Sequence, residues 1–341
     1  LQAQAKTRLY LDKCPGERRG VLQIEGRPHV LLIERDGESR LALGARYRGR
    51  VIAVSAGLGL ARVDLGGPTA SLKLAGLGGV AEGALIEVDI TAEPGRGKDA
   101  FVVCTARPAQ GPLGLISAAP SLEAQLQLLA PDAPLETGDA ARDAADEAQQ
   151  AALQTLHDLG GGVSLAIEPT RALIAVDVDL AEEGGVRAPL KANLLAIREA
   201  ARLLRLKALC GLVVIDLVGF PNEKGRIHEA ALAAFTLDGA DVTIGPLSRF
   251  GALELTKPRR YTPLAERLCD ATGALSARTL AQDLVRDLMR QARYNAGVRL
   301  AAVCAPEIAE VLRPLVAALG PMFQVRETVG LSRSGAHILP L

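Results

Sequence analysis

The stretch between residues 172 and 220 constrains the fold more than any other. Two strongly apolar runs, ALIAVDVDL (172–180) and CGLVVIDLVGF (210–220), flank the amphipathic NLLAIREAARLLRLKAL (193–209). Apolar strands alternating with such helices predict a layered α/β sheet. Strands this apolar are ordinarily buried on both faces. The carboxylates that close them, Asp177 and Asp216, must therefore be solvated, paired or metal-bound. Either one alone reads as an ordinary strand-end charge. Two on neighbouring strands point to a hard divalent cation, because Mg²⁺ is commonly held by one or two carboxylates, with water and phosphate oxygens completing its octahedron.

The remaining pattern divides the chain. Residues 1–43 read as an N-terminal β segment of antiparallel strands joined by Gly- and Pro-bearing turns. Residues 44–104 hold five short strands with Gly-rich turns, the pattern of a small barrel of OB-fold type. In 105–160 a Pro- and Gly-containing stretch leads into one Ala-rich helix ended by glycines, predicting a linker and helix. Residues 161–265 carry the α/β layer, with SLAIEP, ALIAVDVD, LVVIDLVG and DVTIGPLS as strands and GRIHEAALAAFTLDG as a second helix. Residues 275–341 read as a small C-terminal α/β domain. The fold class is thus α/β plus β.

Composition removes several function classes. The 341 residues hold 39 basic and 39 acidic side chains, so no global electropositive surface marks a nucleic-acid binder and any such contact must be local. The five cysteines lie far apart without a CxxC, which argues against a disulfide framework and a zinc site and fits reduced thiols. No apolar run reaches the roughly 18–20 residues that span a bilayer, and no signal-peptide pattern is seen, so a cytoplasmic protein without a membrane partner is expected. The chain opens on Leu1, so residues are expected to precede it. No G-x-S-x-G elbow or Cys–His arrangement supports a serine or cysteine hydrolase. Neither GLGG (76–79) nor GRGK (95–98) leads into a helix, so neither cradles phosphate. His29, His157, His228 and His337 are scattered and read as surface or structural.

Three ordered motifs are more specific. GGGVSLAIEPTRALIAVDVD, NLLAIREAARLLRLKALCGLVVIDLV and PLSRFGALELTKPRR, within about 160–265, resemble the catalytic domain of the RNase E/G family of bacterial endoribonucleases. The resemblance implies a DNase I-like α/β catalytic domain in which Asp177 and Asp216 hold a catalytic Mg²⁺, with Mn²⁺ as a possible substitute. It implies cleavage of single-stranded RNA by metal-activated water, leaving 5′-phosphate ends. A catalytically weak or inactive RNA-binding protein on the same scaffold is the alternative. The asparagine that supports the family's site is here Asp179, which strand periodicity places on the face of Asp177. A further family aspartate is replaced by Gly219. Asn193, Glu199, Arg226 and Arg249 match family positions, the two arginines as RNA contacts. For Asn193 and Glu199 a cap or solvated-face role reads equally well.

Further upstream, ARYRGRVIAV, GLARVDLGG and GRGKDAFV resemble the family's RNA-binding barrel. Tyr47, Arg48, Arg50 and Lys98 match its RNA-contacting positions, while two family phenylalanines stand here as Arg62 and Ser71. The 55 or so residues between Cys104 and Gly160 are too few for the family's 5′-end sensor together with the returning half of its RNase H-like domain. Its zinc-link, a C-P-x-C pattern, is reduced to Cys269, so no zinc is expected. A homo-oligomer remains possible, though not through a zinc-link.

Overall fold

The structure is a computed structural model that describes residues 6–38, 41–95, 97–181, 188–219, 223–295 and 297–341. Three antiparallel strands, β1 (Thr7–Cys14), β2 (Glu17–Ile24) and β3 (Arg27–Arg35), open the chain. Alternation sends Leu9, Leu11, Leu22, Val30 and Leu32 to one face and Tyr10, Val21, Leu31 and Ile33 to the other, and both sets are buried. A sheet buried on both faces needs two covering layers, and later segments supply them.

Next comes the barrel: β4 (Arg46–Ser55), β5 (Leu60–Asp64), β6 (Thr69–Lys73), β7 (Leu85–Ala92) and β8 (Ala100–Ala106). Their order β4-β5-β6-β8-β7, with β7 returning to β4, closes a five-stranded barrel around Val51, Val63, Leu72, Ile86, Val88, Ile90 and Val102. Strand β4 bends from one neighbour to the next at Gly49, where a Cβ would meet Val63 at 2.4 Å and the Asp64 carbonyl at 2.9 Å. A short strand, β9 (Gly114–Ser117), adds to the first half of β4.

The segment expected as linker and single helix instead completes the first sheet. It forms α1 (Leu122–Leu129), β10 (Leu135–Thr137) and α2 (Asp139–Leu153). Helix α1 lays Leu122 and Leu126 on the Leu9 and Leu11 face, β10 pairs parallel to β1, and α2 presents Ala141, Ala144, Ala145, Ala148 and Ala152 to the opposite face. Only alanine-sized side chains let α2 sit so close between two layers. It ends at Leu153, where the buried Lys207 amine donates to the carbonyls of Ala151, Ala152 and Gln154, a cation at the negative end of the helix. Gly160, Gly161 and Gly162 lie beyond the helix. With φ of 80°, 63° and 78° they turn the hairpin between β11 (Leu156–Gly160) and β12 (Val163–Pro169).

The second sheet continues with β13 (Ile174–Leu180), α3 (Ala188–Leu206), β14 (Gly211–Asp216), α4 (Lys224–Ala234), β15 (Thr243–Ile244) and β16 (Leu253–Lys257), in the order β11-β12-β13-β14-β16-β15. Strands β13 and β14 run parallel, which requires the α3 crossover, and the other pairs are antiparallel. Leu165, Ile167, Ile174, Val176, Val178, Val213, Ile215, Leu253 and Leu255 point at α2 and α3 and share one core with Tyr10, Val21, Leu31 and Ile33. The layers therefore run α1, first sheet, paired helices, second sheet.

The outer face of the second sheet corrects the expectation of burial on both faces. Asp177, Asp179 and Asp216 are exposed there, Ala175 and Val214 are half-buried, and Leu212 is 41% exposed. The strands read as continuous apolar runs because their outward positions happen to hold Ala, Leu and Val beside the carboxylates. DVTIGPLS, expected as a strand, supplies only the two-residue β15, and β16, formed by LELTK, takes the place beside β14.

After α5 (Leu264–Leu268), a C-terminal unit with its own core is built from α6 (Ala277–Tyr294), β17 (Leu300–Cys304), α7 (Pro306–Ala317), β18 (Phe323–Glu327) and β19 (His337–Pro340). Helix α6 docks on the first sheet through Arg286, which donates to Asp12 at 2.9 Å and Glu17 at 2.5 Å. Among the described residues no helix is long and apolar enough to cross a membrane.

Candidate active site

Asp177 and Asp216 are direct register partners across the parallel β13–β14 pair, on strands about 4.8 Å apart. Both lie on the exposed face: Asp216 ends β14, whereas Asp177, expected to close its strand, stands midway along β13, which runs on to Leu180 beside β12, so the pair marks where the parallel β13–β14 ladder ends. Asp179 is two residues further along the same face, opposite Ser164 of β12. The carboxyl of Asp177 is held above the ordinary carboxylate range, first by partial desolvation and then by the charges of Asp179 and Asp216. This local excess of negative charge is relieved by a proton or by a cation.

Two features fix the chain around the pair. Asn193 of α3, fully buried, donates from Nδ2 to the Val218 carbonyl at 3.0 Å and accepts from the Val218 amide at 2.9 Å. That double bond sets the path of the backbone immediately after Asp216. Gly219 follows with φ of 71°, a left-handed conformation in which a branched or charged side chain is strained. The second feature is the 245–252 loop. Because β16 is antiparallel to β14 with Leu253 opposite Ile215, the loop that precedes β16 emerges beside Asp216. Ser248 pins it: its Oγ accepts from the amides of Phe250 and Ala252 at 3.2 and 3.1 Å, and its own amide donates to the Ala252 carbonyl at 2.9 Å. Arg249 and Phe250 project into solvent at its tip.

The other matched residues divide. Glu199 is buried in ion pairs with Arg27 and Arg202 that tie α3 to β3, a structural role away from the carboxylates. Arg226, on the first turn of α4 beyond Asp216, is exposed and paired with Glu223 at 2.6 Å. On the barrel, Tyr47 is half-buried between β7 and β9, and Arg48 is committed to Glu87 at 2.8 Å. Arg50 and Lys98 are exposed.

Sequence reasoning missed the joint between barrel and second sheet. Arg259, just beyond β16, donates to the carbonyls of Gly95, Lys98 and Asp99. Its guanidinium lies 5.3 Å from the Phe101 ring centroid, and Lys73 lies 5.5 Å from the same ring. The Glu93 amide donates to the Arg260 carbonyl at 2.8 Å, and the Thr262 amide to Glu93 Oε2 at 3.1 Å. The loop bearing Lys98 is thereby held to the strand that flanks β14. The PRR run after LELTK was the available signal, though nothing local names its acceptors.

The donor set fits a hard cation. Two solvent-reached carboxylates stand in register, and such oxygen donors suit Mg²⁺ or Mn²⁺. Among the described residues no three His, Cys, Asp or Glu side chains gather closely enough to hold a metal ion by themselves. Water and substrate oxygens would have to supply the remaining ligands. Cys269 is half-buried, with its thiol pushed up by desolvation and by Asp270.

Residues 117–260 match the sequence model of the Ribonuclease E/G family. Relatives include a Ribonuclease E/G-like protein, chloroplastic, of Arabidopsis thaliana, 30% identical over 39% of this chain and 15% of that one. Ribonuclease E of Escherichia coli is 36% identical over 37% of this chain and 13% of its own length. Ribonuclease G of Escherichia coli is 26% identical over 48% of this chain and 36% of its own length. The chain thus aligns with between 13% and 36% of the length of these three relatives. The matched region begins ahead of α1 and takes in α1, α2 and α3, which cover the first sheet, and the two strands that carry Asp177 and Asp216.

Proposed function

We propose that the chain, whose residues 117–260 match the Ribonuclease E/G family, is a member of it and a Mg²⁺-dependent endoribonuclease that cuts single-stranded RNA and leaves 5′-phosphate ends. The observation that carries this reading is the in-register pair Asp177 and Asp216, exposed where the parallel β13–β14 ladder ends. Asp177 and Asp216 would hold Mg²⁺, or Mn²⁺ in its place, and the chemistry it would supply there is a water of lowered pKa and a polarised phosphodiester. Asp177 and Asp216 supply the oxygen ligands. Asp179 adds a third negative charge beside them, which strengthens attraction for a divalent cation. Asn193 holds the backbone after Asp216 so that this carboxylate keeps its place. Arg249, on the loop beside Asp216, and Arg226, exposed on α4, would offer positive charge to the phosphate oxygens as negative charge builds on them.

The closed barrel, read as an OB-fold, guides the strand. Tyr47, Arg50 and Lys98 contact RNA, and Arg48 can join them only by exchanging its Glu87 pair for a phosphate. The second α/β layer is read as DNase I-like. Incubating the protein with internally labelled single-stranded RNA, with Mg²⁺ or with EDTA, tests the reading. Metal-dependent fragments that a 5′-monophosphate-requiring exonuclease then degrades are the expected outcome. RNA binding without metal-dependent cleavage would convert the protein into an RNA-binding member of the same scaffold.

A further inference from the structure

Aromatic side chains are scarce in this chain, which has five phenylalanines and no tryptophan. Phe235 lies in the core and Phe101 and Phe323 are half-buried, yet Phe250 is 77% exposed. Leaving a benzyl group in water forgoes the favourable free energy of its burial, so its setting matters. The loop that bears it is held closed by two backbone hydrogen bonds, Ser248 amide to Ala252 carbonyl at 2.9 Å and Gly251 amide to Ser248 carbonyl at 3.3 Å, and by the Ser248 hydroxyl. Gly251 adopts φ of 92° and is buried, so it lets the chain turn back under Phe250. The Arg249 guanidinium stands 4.9 Å from the ring centroid. The platform is therefore an aromatic face and a cation, presented together on a fixed turn beside the end of β14.

We infer that Phe250 and Arg249 form a nucleobase platform, on which a base next to the scissile phosphate stacks while Arg249 holds the flanking phosphate. This rests on the proposed ribonuclease reading and deepens it, since it names how the strand is seated at the carboxylates. The barrel positions Arg62 and Ser71 offer no ring, and Phe101 is flanked by two cations. Among the described phenylalanines, Phe250 is the one that is exposed and stands beside the end of β14. Stacking on an aromatic tolerates any base, so the platform positions the strand without choosing a sequence.

The test uses the full chain and a ten-nucleotide single-stranded RNA carrying 2-aminopurine, whose fluorescence falls when the base stacks. Affinity and fluorescence are read with Mg²⁺ and, separately, with EDTA, for the unaltered protein and for Phe250→Leu and Phe250→Tyr. Because Phe250 touches no core, unaltered thermal melts will show that both variants fold. Quenching on binding by the unaltered protein is expected. Phe250→Leu should remove the quenching and weaken binding about 5- to 150-fold, with the salt dependence unchanged because no phosphate contact is lost. Phe250→Tyr should restore both. Equal affinity and equal quenching in Phe250→Leu would overturn the platform while leaving RNA binding intact. No RNA binding by the unaltered protein under either condition would overturn the ribonuclease reading as well.

Discussion

At the scale of single residues, burial decides which polar side chains are structural. Asn193 makes two hydrogen bonds to one peptide unit from a fully buried position. Asn193→Ala leaves that amide and carbonyl unpaired, at about 1–3 kcal/mol. A lowered urea midpoint and a raised Mg²⁺ requirement for RNA cleavage should accompany each other, because the same bonds place Asp216. His157 is buried, its Nε2 has no partner among the described residues, and burial followed by the nearby charge of Lys207 lowers its pKa from 6.5 to about 4. The folded state keeps this ring neutral where the unfolded chain protonates it. Its contribution is therefore complete above about pH 6.5 and lost as the pH falls to about 4, worth roughly 1–3 kcal/mol. Urea midpoints at pH 7 and pH 5 should differ more for the unaltered protein than for His157→Gln, and an identical difference would remove the histidine from this account. At this scale the sequence was informative where chemistry is local. Asp177 and Asp216 stood out as charges closing apolar strands, whereas the acceptors of Asn193 and Arg259 lie 25 and some 160 residues away and no local pattern points to them.

At the scale of elements, the strands and helices around the carboxylates were legible because their periodicity is strong, and β13, α3 and β14 form where the pattern put them. What stayed hidden was which layer each element covers. Helix α2 was visible as an Ala-rich run, but its purpose, to separate two sheets at close range, depends on β1 to β3, far upstream. The same holds for α6, whose Arg286 enters a buried network with Asp12, Glu17, Arg19 and Arg35. The arginines hold the carboxyls of Asp12 and Glu17 below their ordinary values despite burial. Arg286→Ala strands two buried carboxylates and should cost about 3–5 kcal/mol, read as a lower urea midpoint, with earlier hydrogen exchange in α6. A loss below about 0.5 kcal/mol would show that the C-terminal unit does not depend on this ion cluster.

At the scale of the whole molecule, the layers explain why one sheet face is left for chemistry. Among the described residues the first sheet is covered on both sides, the second on one side by α2, α3 and α4, and the carboxylates are exposed on its other side. The barrel is joined to that arrangement through Arg259 and the Glu93 to Thr262 contacts. Arg259→Ala should speed hydrogen exchange in residues 97–101 and weaken RNA binding without unfolding the α/β layers. Unchanged exchange there would mean that the joint does not rest on this side chain. All of this organisation serves the proposal that Asp177 and Asp216 together hold a catalytic Mg²⁺. The most direct test is the Mg²⁺ dependence of single-stranded RNA cleavage by the unaltered protein, Asp177→Asn and Asp216→Asn, with folding of each checked by thermal melting. The account predicts cleavage by the unaltered protein that rises with Mg²⁺, and at least about a hundredfold loss in each folded variant, the scale on which a transition-state charge stabiliser acts. Cleavage that persists undiminished in either folded variant would contradict it.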